Sequence, residues 1–184
     1  ESLYAYVISR KDYPYRKILT FIAFFTMLFN GGVVPTYILV SDWLNLRDSL
    51  WALILPGVCS TFPVFIMYRF FSKLSKDVIE AAKLDGANEW QIFWRIGIPL
   101  GMPGIMSVIV LDFLEYWNLI EQPAVFLRTE RLKPLSLYIS TITKENAGVA
   151  FVAALVALLP PLLVFLCGHR YLEQGIAAMG GSES

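Results

Sequence analysis

The chain of 184 residues is 57% hydrophobic and 16% charged, and its 15 Lys and Arg balance 15 Asp and Glu to a formal net charge of zero. Soluble domains carry about a quarter charged residues, so this composition points to a membrane, and with no basic block interleaved with aromatics it disfavours nucleic acid as a partner. The apolar runs are continuous rather than alternating, which sets aside a closed outer-membrane barrel.

The chain opens on Glu1 rather than Met, and Leu3 to Ile8 is a short apolar run ahead of Arg10 and Lys11. It reads as the end of a span that begins outside this sequence, so residues 1–17 are expected to be that end and a cytoplasmic connection. Four stretches then reach the roughly 20 residues that a spanning helix needs, at 18–40, 50–68, 99–127 and 147–168. They predict an all-α, polytopic transmembrane bundle, one domain over 18–170, with 171–184 as a cytoplasmic tail whose end frays.

Lys and Arg set the orientation. Arg10, Lys11, Arg16 and Lys17 precede the first full span, and Arg69, Lys73, Lys76, Lys83 and Arg95 lie between the second and third, so both segments are expected to face the cytoplasm. The connection between the first two spans has only Arg47, while the one after the third carries Arg128, Arg131, Lys133 and Lys144 against Glu130 and Glu145. Helix breaks are expected at Asn30, Gly31, Gly32 and Pro35, at Pro56 and Pro63, and at Pro160 and Pro161. They suit either a transport path or ordinary proline kinks in a packed bundle. Cys59 and Cys167 stand in apolar runs and read as packing residues, neither disulfide nor metal cluster. His169, beside Arg170 at the end of a run, suits an interfacial position rather than ligation or base catalysis.

The connection at 72–98 is long for one between adjacent membrane helices. Ser75 is placed to cap a short helix from Lys76 to about Asp85, Gly86 to stop it in a left-handed conformation, and Asn88 with Gln91 to open a second helix through a capping box. Helical spacing groups Val78, Ala81 and Ala82 on one face of the first helix, and Trp90, Phe93 and Trp94, with Ile96 beyond, on the second. Those faces alone would suit packing under the bundle or an interfacial helix.

The literal string EAAKLDGANEWQIFWRIGIPL, from Glu80 to Leu100, resembles the EAA loop of ABC-importer permeases: Glu-Ala-Ala, a glycine four residues after the second alanine, then Ile-x-Ile-Pro. Its Asp85-Gly86-Ala87, Phe93 and Pro99-Leu100 are similar to the maltose-type carbohydrate-uptake class. The likeness extends to SRKDYPYRK, GGVVPTYILV, WALILPG and EYWN elsewhere in the chain. It implies the type I (MetI-like) permease fold in a bacterial inner membrane, and a chain that lacks the family's first spans. It also implies a second homologous permease as heterodimer partner, a dimeric ABC ATPase, an extracytoplasmic solute-binding protein and a carbohydrate substrate. By the same resemblance the loop is a coupling helix seated in a groove of the ATPase. Glu80 and Asp85 then reach charged partners, Ala81 and Ala82 allow close approach, and Gly86 permits the turn. Trp90 and Phe93 are expected to anchor the second helix under the bundle.

The third span carries Asp112, Glu115 and Glu121, and a charge at mid-membrane costs on the order of 3 kcal/mol, so it normally faces an interior or a cavity. Asp112, Glu115, Tyr116, Asn118 and Gln122 fall in a broad stripe of one helix face. They combine acceptors, an amide and a ring, which suits a polyhydroxylated ligand. Asp112 and Glu115 equally suit pairing with a partner permease, and Glu121 lies nearer the outer end. No Walker motif occurs, so hydrolysis is assigned to another chain, with no cofactor here. The paired acids lack a second catalytic motif, so an enzyme is disfavoured. A proton-driven transporter would leave the EAA string without a role. An amino-acid or peptide importer is the nearest alternative to sugar.

Overall fold

The computed structural model describes residues 1–29, 31–58, 60–142 and 147–180. The expectations that fall on Asn30, Cys59, Lys144, Glu145 and the last four residues lie outside them. In chain order the helices are α1 (Ser2–Ser9), α2 (Arg16–Leu28), α3 (Val33–Ile38), α4 (Trp51–Gly57), α5 (Thr61–Phe71) and α6 (Lys76–Leu84). There follow α7 (Glu89–Ile92), α8 (Ile98–Trp117), α9 (Glu121–Phe126), α10 (Leu135–Ile142) and α11 (Ala147–Gly180). Two π-helical turns, Leu39–Trp43 and Phe93–Gly97, extend α3 and join α7 to α8. Among the described residues the regular structure is all helical. Glu89–Trp117 and Gly148–Gln174 are each long and apolar enough to cross a membrane, and two helix pairs meet the same test when each is taken as one span.

The helices form two compact units. The first comprises Glu1–Phe29, Ser60–Val110 and Gly168–Ser184. Its core joins Ala5, Tyr6 and Ile8 of α1 to Val64, Ile66, Met67 and Phe71 of α5, with Phe93 and Val108. Polar ties bring α2 into this unit and join the starts of α1 and α5: Tyr4 donates to the Leu19 carbonyl at 2.7 Å, Arg16 to the Tyr68 hydroxyl at 3.0 Å, and the Ser60 amide to the Glu1 carboxylate at 3.1 Å. Glycine sets the closest approaches. A Cβ on Gly101 would stand 2.4 Å from the Phe71 ring, and one on Gly104 2.4 Å from Phe70.

The second unit comprises Asn30–Cys59 and Leu111–Cys167. Val40, Ala52 and Phe126 form its core, with Tyr37 and Phe126 rings 5.6 Å apart. Asp48, at φ 54°, accepts hydrogen bonds from the Arg128 and Thr129 amides at 2.8 and 2.9 Å and from the Thr129 hydroxyl. These three donors stabilise the ionised form and hold the Asp48 carboxyl below the usual carboxylate range.

Several expected breaks fall elsewhere, for local reasons. Pro35 and Pro63 lie in the first turns of α3 and α5, where a missing N–H removes no helical bond. Pro160 and Pro161 do not break α11. Pro161 leaves the Ala157 carbonyl without its helical donor, and the Trp117 indole N–H supplies one at 3.1 Å. The third stretch, expected as one run to 127, ends its helix at Trp117. There the Asn118 amide turns back onto the Leu114 carbonyl at 2.8 Å, and α9 starts afresh at Glu121. α11 continues through Tyr171 to Gly180. Within the first unit, Ser107 donates to the Tyr171 carbonyl at 2.5 Å, and Gly168 lets the Val110 side chain approach to where a Cβ would stand at 2.3 Å.

Candidate coupling site

The turn between α6 and α7 is built from caps within a dozen residues. The Ser75 hydroxyl accepts from the Asp77 amide at 3.2 Å and starts α6, with Asp77 in the first turn and Lys83 in the last, each complementing the helix dipole. At the other end Ala87 N–H donates to the Ala82 carbonyl and Gly86 N–H to that of Lys83, both at 3.0 Å. This bond pair is a Schellman motif, and Gly86 takes the left-handed position at φ 82°. Asn88 and Gln91 then form a reciprocal capping box, with bonds of 2.8 and 2.9 Å. Lys83 reaches across the turn to Glu89 at 2.7 Å.

These caps fix which side chains face outward. Glu80, Ala81, Asp85 and Gly86 are exposed and Ala82 is half-buried. Of the face formed by Val78, Ala81 and Ala82, Val78 and Ala81 are exposed and do not pack under the bundle; Ile79 is the side chain of α6 that is buried, at 7% exposure. Val78 and Leu84 instead stand in the open, Leu84 at 89% exposure. Leu84 continues the Val78, Ala81 spacing by one more step of three, a signal already present in the sequence. The second helix is corrected too. Phe93 is buried against Tyr6, with rings 5.0 Å apart, and Ile92 is buried beside it. Trp90 and Trp94 are exposed and stack on each other at 6.5 Å. Phe93 therefore anchors this helix, and Trp90 does not.

The candidate path residues all belong to the second unit, but not to one helix face. Asp112, Glu115 and Tyr116 lie on α8, and Gln122 lies on α9 beyond the break at Asn118. Asp112 and Gln122 are half-buried, while Glu115, Tyr116 and Asn118 are exposed. The Tyr116 ring rests on Gly57 of α4, where its hydroxyl fills the place of any Cβ, and the Asn118 amide is taken up by its own helix. A cavity of about 290 Å³ opens between Trp117, Asn118, Ser136, Ala157 and Pro161. Asn118 is the one expected path residue on its wall.

Apolar helices long enough to cross a membrane, with a capped, exposed polar turn among them, define the class: a helical membrane protein. The chain belongs to the family described as "Binding-protein-dependent transport system inner membrane component", whose model matches residues 4–178. It is similar to the polygalacturonan/rhamnogalacturonan transport system permease protein YtcP of Bacillus subtilis, at 37% identity over 147 residues, 80% of this chain and 51% of that protein. It is also similar to the diacetylchitobiose uptake system permease protein NgcG of Streptomyces coelicolor, at 30% identity over 94% of this chain and 60% of that protein. Among solved structures, a bacterial ABC transporter involved in the import of the acidic polysaccharide alginate matches with a TM-score of 0.81 and 30% identity, over 91% of this chain and 65% of that one. The chain thus spans between half and two thirds of the length of these relatives.

Proposed function

We propose that this chain is the transmembrane permease subunit of an ATP-driven, binding-protein-dependent carbohydrate importer, and that the α6–α7 turn couples it to a separate dimeric ATPase. The observation that carries this reading is the turn itself. Caps at Ser75, Gly86 and Asn88 hold it in one shape while Val78, Ala81 and Leu84, flanked by Glu80 and Asp85, face outward. An apolar patch with an acidic rim suits a groove on another subunit. Glu80, Ala81, Ala82, Asp85 and Gly86 are the coupling residues in this reading, with Leu84 added. A second homologous permease completes the path as a heterodimer, and an extracytoplasmic binding protein delivers the sugar. Asp112, Glu115, Tyr116, Asn118 and Gln122 are assigned to the path of this chain. The names of the relatives favour sugar over amino acid or peptide.

The test is uptake of a labelled oligogalacturonide and of labelled diacetylchitobiose by vesicles holding the full-length permease, its partner permease, the ATPase and the binding protein. Wild type is expected to take up one of them only with ATP, and Gly86→Asp to assemble and lose uptake. Transport that persists without the ATPase would overturn the reading.

A further inference from the structure

The turn is tied to the first unit at a second place, by residues outside the motif string's Glu-Ala-Ala-to-glycine core. Arg10 caps the C-terminus of α1 and its side chain is only 12% exposed. The guanidinium lies over the Tyr6 ring, 5.8 Å from its centroid, and its Nη2 stands 3.1 Å from Asp12 and 4.0 Å from Glu89. The same Glu89 oxygen receives Lys83 at 2.7 Å. Lys83 closes α6 and Glu89 opens α7, so one carboxylate bridges the Gly86 turn and also faces the end of α1. Beneath these charges Tyr6 packs between Phe93, at 5.0 Å, and Phe71, at 5.7 Å and edge-on. A Cβ on Gly97 would stand 3.2 Å from the Tyr6 ring, so α1 is seated on the π-helical turn that leads into α8.

We infer that Arg10 and Glu89 are positioning residues that link the α6–α7 turn to α1, so that displacement of the turn reaches the bundle through α1 as well as along the chain into α8. The inference rests on the coupling reading above. An arginine held over a ring and between two carboxylates follows one partner only by pulling on the others; Arg10 is itself buried, whereas Asp12 and Glu89 are exposed, so both ion pairs weaken as salt rises. A cavity of about 440 Å³, lined by Val7, Arg10, Lys83, Glu89 and Trp90, borders the link. The charged groups thus border open space, and Tyr6, packed between Phe93 and Phe71, lines the same cavity.

The test uses the complete transporter in vesicles, with the labelled sugar that supports wild-type uptake, and measures uptake and ATP hydrolysis in the same preparation, both normalised to copurified ATPase. Arg10→Gln and Glu89→Gln are each expected to lower the sugar moved per ATP by about fivefold, the lower end of ordinary coupling between sites. The double variant is expected to lose no more than either single one, and Arg10→Lys to keep most of the ratio. Losses that multiply in the double variant, or uptake and hydrolysis that fall by the same factor, overturn the link. Gly86→Asp in the same assay separates the two readings. If it stays coupled, the coupling turn itself is wrong; if it uncouples while the Arg10 and Glu89 variants keep the wild-type ratio, only the link is.

Discussion

The α6–α7 turn and the segment around Asp48 are both polar stretches set among apolar helices, and they are held by opposite means. In the turn every capping bond closes within six residues: Ser75 to Asp77, Ala82 to Ala87, Asn88 to Gln91. Asp48 instead takes its donors from Arg128 and Thr129, 80 and 81 positions along the chain. The turn therefore holds its shape by its own local bonds, as the proposed coupling role requires. The Asp48 clamp exists only while two distant connections of the second unit stay together, so it reports on that unit's integrity.

Substitutions can break this contrast, beginning with packing. Gly101→Ala puts a methyl 2.4 Å from the Phe71 ring, which is 2% exposed and has nowhere to go, so a loss of about 1–3 kcal/mol is expected, read as a lower midpoint of thermal unfolding in detergent. An unchanged midpoint would show that the first unit is not closely packed there. Trp117→Phe removes the donor that replaces the N–H missing at Pro161, and about 1 kcal/mol should follow, with faster amide exchange in α11 around Pro160 and Pro161. No change in that exchange would mean that the Ala157 carbonyl finds another donor.

Asn88→Ala sharpens the comparison, because its effect should stay local. About 1 kcal/mol of capping is lost, exchange at the Gln91 amide rises, and the Thr129 amide is untouched. Asp48 contributes in full at neutral pH, and its pH dependence emerges only in acid. Its folded pKa lies below the unfolded value of about 3.9, so its contribution is complete above that value and disappears as pH falls through the lower folded one. Protection of the Arg128 and Thr129 amides, corrected for intrinsic exchange, should fall over that range in wild type. In Asp48→Asn it should be low at every pH; protection equal to wild type in that variant would show that the carboxylate does not hold the clamp.

What was legible in the sequence follows the same division. The stop at Gly86, the cap at Ser75 and the box at Asn88 and Gln91 depend on neighbours a few positions away, and each stands in the structure as its residue types require. Apolar runs announced helices because backbone groups without water must bond within their own segment. Which face each short helix buries was not legible. Val78 and Ile79 are equally apolar, and only the position of α6 against the first unit selects Ile79, just as Tyr6 selects Phe93 over Trp90. Proline was read as a breaker from its own chemistry, and the tertiary structure decided otherwise at Pro161 because Trp117, forty positions from Ala157, supplied the missing donor. The sequence by itself determined the helical membrane class and the shape of the α6–α7 turn, whose bonds are local. Burial, helix continuity through paired prolines and the links of Arg10 and Asp48 were decided only by tertiary structure, since their partners are brought close by folding rather than by spacing.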